Sequence, residues 1–216
     1  MSFYNETNGL SIYPTPMLGM VGLIDVADKT MTQWFKQDGD AILLLGKSKE
    51  DLGGSEYLKV LHHREQGSPP FLSLEAEKAL HDFILNVIRE GVVQSAHDCS
   101  DGGVSVALAE CCISVPDTRR GAVVKLRLDA LRLDALLFGE SQSRVVLSVK
   151  PEMVDRVLNR AWDAGIPAMK IGTVGGDRFV IEVEEGQWSE GCHIDLPVDQ
   201  LYDRWAFSIE RTLNEA

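Results

Sequence analysis

The sequence has little positive charge and no long apolar run. Lysine and arginine number 21 against 33 aspartates and glutamates, so the formal net charge is −12 at pH 7. Such a surface repels nucleic-acid phosphates and anionic lipid, and neither is an expected partner. No apolar run approaches the length of a membrane-spanning helix and no secretory signal opens the chain, so we expect a cytoplasmic protein with no membrane contact.

Cysteines in metal-binding or redox spacing are also missing. The chain has four cysteines, none of them in a C-x-x-C pair, and no histidine lies at zinc-finger spacing. The pattern argues against a zinc site and is typical of a reduced, intracellular protein.

From residue 37 onward the hydrophobic pattern alternates between strand and helix periods, which predicts an α/β (α+β) domain with a mixed sheet over 37–216. The segment AMKIGTV precedes RFVIEVEE, and the intervening Gly175–Asp177 predicts a hairpin between them. Ser73 and Gly91 bracket a predicted amphipathic helix. In the tail, a second helix is predicted with a buried ridge, formed by Leu201, Trp205, Ile209 and Leu213.

Residues 1–36 look like the terminal strands of a preceding domain, and MLGMVGLIDV (17–26) is predicted as one of them. A half-finished sheet has an exposed edge, so this region predicts self-association as a homodimer. We therefore expect the chain to be a fragment of a longer one.

The most informative stretch is HDCSDGG, 97–103, which joins a predicted buried strand to an apolar helix. A helix N-terminus presents free N–H groups that suit phosphate, and Gly102 with Gly103 lets the backbone approach a ligand closely. Asp98 and Asp101 could hold Mg²⁺ while Ser100 donates to a phosphate oxygen. The alternative, which spacing alone favours, is that Ser100 or Asp101 simply caps the helix.

Two further polar segments have a functional and a structural interpretation. FGESQSR, 138–144, places Glu140, Ser141, Gln142 and Arg144 before a buried strand, either as a site or as an ordinary polar turn. LGGSEY, 52–57, is either a small anion-binding loop or a helix start capped by Ser55.

The segments SFYNETNG, IYPTPMLGMVG, LGGSEY, HDCSDGGVSVALAE and FGESQSRVVLSV follow one another across nearly the whole chain. In this order they resemble the C-terminal part of phosphoribosylformylglycinamidine synthase subunit II of the small type. The Ser-Asp-Gly-Gly helix start alone is shared with the wider aminoimidazole ribonucleotide synthetase-like superfamily. The resemblance implies that residues 1–36 end a second A domain and that 37–216 form a second B domain.

The resemblance also implies a reaction: ATP and Mg²⁺ activate formylglycinamide ribonucleotide, and ammonia from a glutaminase partner yields the amidine. It implies substrate binding by Ser2, Glu140, Ser141 and Gln142, the last three at an auxiliary site. Nucleotide binding is implied for Asp98, Ser100, Asp101, Gly102 and Gly103, with Asp98 and Asp101 on the metal.

The family's catalytic histidine and most of its ATP and metal ligands lie upstream of Met1, so no catalytic residue is assigned and the chain alone is expected to be inactive. Implied partners are the N-terminal remainder of the enzyme, the glutaminase subunit and a small third subunit. Two alternatives stay open: a non-catalytic nucleotide-binding or scaffold module, and a relative similar to selenophosphate synthetase.

Overall fold

The computed structural model describes residues 6–7, 10–11, 17–115, 118–128, 130–185 and 191–215. The chain divides into two compact units, residues 1–30 and 31–216. In the first, β1 (Glu6–Thr7) pairs antiparallel with β2 (Leu10–Ser11), and a 3-10 turn covers Ala27–Lys29. In the described part of the chain, no helix combines the length and apolar character needed to cross a membrane.

The second unit contains the predicted strands and helices, together with a strand and a helix that the pattern did not predict, β9 and α4. Its strands are β3 (Ala41–Leu45), β4 (Val93–Asp98), β5 (Ala122–Arg127), β6 (Val145–Val149), β7 (Ala168–Val174), β8 (Arg178–Glu184) and β9 (Cys192–Pro197). Its helices are α1 (Glu56–His62), α2 (Leu74–Arg89), α3 (Gly103–Ile113), α4 (Leu133–Phe138), α5 (Val154–Asp163), α6 (Val198–Ala206) and α7 (Ser208–Glu215).

These seven strands form one sheet in the order β4-β6-β3-β7-β5-β8-β9. The pairs are antiparallel except β5 with β8, which run parallel. The predicted α/β class with a mixed sheet is confirmed.

The predicted hairpin between β7 and β8 is wrong. Strand β5 lies between them, antiparallel to β7 and parallel to β8. The Gly175–Asp177 turn is therefore a connection that passes the end of β5, and Gly175 N donates to Gly121 O at 2.8 Å. A turn signal fixes the local reversal of the chain but not which strand takes the neighbouring place.

Helices cover both faces of the sheet and create two apolar cores. Strand β3 supplies both, because Ile42 and Leu44 point to one face while Leu43 and Leu45 point to the other. The first core contains α3, α4 and the start of α6, and the second contains α2 and α5. A strand buried on both faces explains why β3 is a continuous apolar run.

Helix α2 agrees with its prediction, since Ser73 Oγ accepts from Ala76 N and the apolar face is buried. The predicted buried ridge in the tail is wrong. The tail is broken at Phe207 into α6 and α7, and Ile209 and Leu213 are 76% and 73% exposed. Periodicity identifies an amphipathic helix but not whether a neighbour covers its apolar face.

Residues 17–26 do not form the predicted strand. They have no regular structure, and Met17 and Val21 are fully exposed. The second unit also starts at Met31, six residues before the predicted domain start. Phe35 is buried and its N–H donates to Cys111 O at 2.9 Å, which attaches this segment to α3. The assignment of residues 1–36 to a second A domain stays a prediction.

A pair of identical substitutions tests the burial difference between the sheet and the tail. Leu147 in β6 is fully buried, whereas Leu213 in α7 is 73% exposed. We expect Leu147→Ala to lower the free energy of unfolding by about 2–5 kcal/mol, because it leaves a cavity. Leu213→Ala is expected to change it by less than about 0.5 kcal/mol. Urea unfolding followed by circular dichroism measures both, and equal losses would contradict the exposed position of Leu213.

Candidate functional site

The acidic motif lies where the sequence predicts it, in the turn from β4 to α3. Asp98 ends the strand, and Ser100 Oγ donates to Asp98 Oδ2. Gly103 N donates to Ser100 O at 3.0 Å, which closes the turn. Gly102 and Gly103 have φ values of 76° and 68°, a left-handed conformation that glycine adopts without strain.

Position 103 also requires glycine for a steric reason. A Cβ at this position would lie 2.5 Å from Gly139 O, so the start of α3 contacts the backbone of the FGESQSR segment directly. The two glycines are therefore required by the fold whether or not a ligand binds beside them.

Capping by Ser100 or Asp101 is not observed. The N-cap of α3 is Gly102, which has no side chain to accept a hydrogen bond. The N–H of Gly102 instead donates to Glu140 Oε1 at 2.9 Å. A capping carboxylate 38 residues away in sequence cannot be identified from local spacing, which explains why the simpler interpretation was favoured.

The same oxygen of Glu140 serves a second helix. Glu56 N, at the first position of α1, donates to Glu140 Oε1 at 2.9 Å. Ser55 caps the same helix, as in the structural interpretation of LGGSEY, since Ser55 Oγ accepts from Leu58 N at 3.3 Å. One carboxylate thus caps α1 and α3 and adds a negative charge at the positive ends of both helices.

Buried hydrogen bonds hold the rest of the FGESQSR segment. Ser141 is buried and its Oγ accepts from Lys49 N at 3.0 Å. Arg144 is 2% exposed and donates to Ser141 O, Gly139 O and Ser48 Oγ at 2.9, 2.5 and 3.1 Å. Burial lowers the pKa of Arg144, and the nearby groups of Cys99, Asp51 and Glu140 oppose that effect.

Several predicted site residues meet in one polar cavity of about 280 Å³, which we call the acidic cavity. Its lining includes Asp98, Ser100, Asp101, Glu140 and Gln142. Gln142 is exposed and Nε2 donates to Glu140 O at 3.2 Å. Gly102, Gly103 and Ser141 support this cavity without being among its lining residues, and Ser2 lies outside the described residues.

Glu77 and His81 on α2 also line the acidic cavity, and the sequence reasoning missed them. They form an i, i+4 pair at 2.8 Å, and Glu77 Oε2 accepts from Ser143 Oγ. Their spacing is that of an ordinary solvated helix face, so no sequence signal distinguished them.

Hydrogen bonding keeps Asp98 ionised. The bond from Ser100 is the main cause of the lowered pKa of Asp98, and burial opposes it while His97 contributes further lowering. His97 Nε2 is itself 2.8 Å from Glu110 Oε2, which gives this histidine a structural partner. Asp98 is thus available as an anionic ligand well below neutral pH.

The donor set suits a metal only together with a ligand. In the ranges that the structure describes, no group of three or more histidine, cysteine or acidic side chains could hold a metal ion. Two carboxylates with a hydroxyl nearby fit Mg²⁺ that takes its remaining ligands from phosphate and water. An all-protein metal cage does not fit these residues.

These observations define a class of protein: an α/β domain with a mixed sheet, in which an acidic, glycine-containing turn joins the edge strand β4 to helix α3. Residues 37–184 match the family described as AIR synthase related protein, C-terminal domain, and the chain belongs to that family.

Two curated relatives bear the name phosphoribosylformylglycinamidine synthase subunit PurL. The one from Caldanaerobacter subterraneus subsp. tengcongensis is 44% identical over 205 residues, and that from Moorella thermoacetica is 46% identical over 209 residues. The matches cover 95% and 97% of this chain but 27% of each relative. The resemblance seen in the sequence is confirmed, and the chain spans about a quarter of the length of these relatives.

A solved structure of Thermotoga maritima PurL complexed with FGAR matches with a TM-score of 0.66 and 22% identity. The match covers 82% of this chain and 30% of that chain. At this level of identity it establishes the fold alone.

Two substitutions at Glu140 test its capping role. Glu140→Ala leaves the N–H groups of Glu56 and Gly102 without their acceptor, and we expect a loss of roughly 1–3 kcal/mol in the free energy of unfolding. Glu140→Gln keeps an amide oxygen and is expected to lose less. Urea unfolding measures both values. If the two variants were equally stable, the carboxyl oxygen would not be the stabilising group.

A second substitution tests the electrostatics of the turn. Ser100→Ala removes the hydroxyl that bonds Asp98, so the pKa of Asp98 should rise towards the ordinary aspartate value. A carboxyl-carbon NMR titration of Asp98 measures this change. Ser208→Ala is the control, since its hydroxyl donates to Trp205 O at 3.1 Å in the tail, in a different segment from Asp98. An unchanged titration of Asp98 in Ser100→Ala would contradict the assigned cause.

Proposed function

We propose that this chain functions as part of an ATP-dependent C–N ligase of the phosphoribosylformylglycinamidine synthase type. The proposed overall reaction joins ammonia derived from glutamine to formylglycinamide ribonucleotide and gives formylglycinamidine ribonucleotide, in purine biosynthesis. The identity of 44–46% to PurL relatives supports this proposal, and 27% coverage of those relatives is the reason that it concerns a part of the enzyme.

Within that enzyme, we propose that the acidic cavity binds a magnesium–nucleotide. The observation that carries this is the convergence of Asp98, Ser100 and Asp101 beside the N-terminus of α3. Solved T. maritima PurL complexes with ATP and ADP support nucleotide binding by the family. Magnesium would offset the repulsion between phosphate and the two carboxylates when it is bound.

The position of Glu140 favours metal-mediated over direct phosphate binding. Its carboxylate already accepts the N–H of Gly102, one of the backbone donors at the start of α3 that a phosphate could otherwise use. An anion without a metal therefore faces Glu140, Asp98 and Asp101 together. The proposal accordingly requires nucleotide affinity to depend strongly on Mg²⁺.

The roles of the other predicted residues follow from this proposal. Gln142, exposed in the cavity, is available to a ligand, whereas Glu140 and Ser141 are committed to backbone hydrogen bonds. Contact of Ser2, Glu140, Ser141 and Gln142 with the substrate remains a proposal carried by the resemblance. We also propose that the catalytic groups lie elsewhere in the enzyme and that this chain alone has no turnover.

The proposed partners are the remainder of the enzyme, a glutaminase subunit and a small third subunit. A structure of PurLQS from T. maritima is consistent with such an assembly for that relative. A cytoplasmic location and association through residues 1–36 are proposed on the sequence grounds given above.

A competing function is a scaffold in which the acidic turn binds nothing. The hydrogen bonds of Glu140, Ser141 and Arg144 favour it, because they explain these residues without any ligand. Under this alternative, nucleotide and magnesium would bind neither the chain nor its variants.

Calorimetric titration of ATP and ADP, with and without Mg²⁺, separates the two functions. We expect metal-dependent binding that the double variant Asp98→Asn, Asp101→Asn weakens by about tenfold or more, equivalent to about 1.4 kcal/mol. The control is Asp155→Asn, Asp163→Asn, which removes the same charge from two exposed positions on α5. If both double variants lost the same nucleotide affinity, the loss would be due to net charge alone. If nucleotide did not bind to the unmodified chain, the scaffold function would be favoured.

A further inference from the structure

A second cavity, of about 200 Å³, adjoins the acidic one. The two cavities share Leu80, Gln142 and Ser143. The second cavity is lined by Lys47 and Lys49 and by no carboxylate, although acidic residues outnumber basic ones across the chain. Its charge is therefore opposite to that of its neighbour and of the whole protein.

In the part of the chain that the structure describes, the two lysines form no ion pair with a carboxylate. Lys59, Lys78 and Lys125 each pair with a carboxylate at ion-pair distance. For Lys47 and Lys49, the described residues provide no carboxylate within that distance. Ser48, between them, accepts from Arg144 Nη1 at 3.1 Å, while Lys47 and Lys49 on either side are exposed and line the cavity. Two cationic side chains that line one cavity repel each other at close range, and an anion bound between them would offset that repulsion.

The rest of the lining is mostly apolar, with Ser73, Gln142 and Ser143 as its polar members. Phe71 is 73% exposed, and Lys49 Nζ lies 5.8 Å from the centre of its ring. Leu80, Ile166 and Pro167 also contribute apolar surface to the lining. An exposed aromatic ring beside a cation offers a ligand both an apolar contact and a charged one.

The backbone around the cavity is closely packed. A Cβ at Gly46 would lie 2.0 Å from Ser143 O, and Gly46 N donates to Pro167 O at 2.8 Å. These contacts join three segments of the wall before any ligand is present. Preformed, mostly apolar pockets with a few charged groups are typical of small-molecule sites.

We propose that this cavity binds a small phosphate monoester that carries an aromatic or apolar group. The two lysines match the two negative charges of a phosphate monoester, and lysine commonly binds phosphate as a point charge. Phe71 and the aliphatic wall receive the organic group. The volume is below the range of about 300–1,000 Å³ of typical ligand pockets, so the ligand is compact.

Phenyl phosphate is the probe for the test, titrated into the 216-residue chain and followed by calorimetry and by NMR shifts of the cavity residues. We expect binding that weakens about tenfold or more in Lys47→Gln, Lys49→Gln, and that falls as the salt concentration rises. Phe71→Ala should weaken phenyl phosphate but leave inorganic phosphate nearly unchanged. Lys170→Gln, an exposed lysine outside the lining, is the control and should bind normally.

The design also separates this site from the acidic cavity. Asp98→Asn, Asp101→Asn should retain phenyl phosphate binding, whatever it does with nucleotide, because it leaves Lys47, Lys49 and Phe71 in place. The proposal is overturned if phenyl phosphate does not bind, if the double lysine variant binds it equally well, or if only the aspartate variant loses it. Circular dichroism on each variant confirms that a loss of binding is not a loss of folding.

Discussion

The carboxylate of Glu140 connects the parts of the molecule on which the acidic cavity depends. One oxygen accepts the first N–H groups of α1 and of the α3 start, and Glu140 N donates to Asp51 O at 2.9 Å. Arg144 holds the same segment in place by donating to the carbonyl oxygens of Ser141 and Gly139 and to Ser48 Oγ. The positions of Asp98, Ser100 and Asp101 relative to the loop before α1 therefore follow from this one buried turn.

This arrangement has a consequence for ligand chemistry. A helix N-terminus is ordinarily an anion site, but at the start of α3 a protein carboxylate already accepts the N–H of Gly102. The acidic cavity is left with the ligand preferences of its carboxylates, which favour a cation or a cation bound to phosphate. The neighbouring cavity shares Gln142 and Ser143 with it and is lined by Lys47 and Lys49 instead of carboxylates. The segment 138–144 thus separates two cavities of opposite charge.

Most strands and helices could be predicted, because burial of one face makes apolar residues recur at the spacing of a strand or a helix. Strand β5 alternates between buried and exposed residues, and α2 has Ser73 at its start and Gly91 after its end. The pairing of β7 with β5 was not predictable, because a turn signal carries no information about distant strands. The exposure of Leu213 was not predictable either, since an apolar stripe does not reveal whether anything covers it.

For the candidate site, the sequence by itself determined the local chemistry: two aspartates, a serine and two glycines between a buried strand and a helix. It also determined the α/β class, because the periods of burial are properties of local sequence. Only the tertiary structure decided that Glu140 caps α3, that Glu77 and His81 of α2 join the acidic cavity, and that Lys47 and Lys49 share another. These groups come from segments far apart in the chain, and their proximity depends on how the sheet and its two helical layers pack.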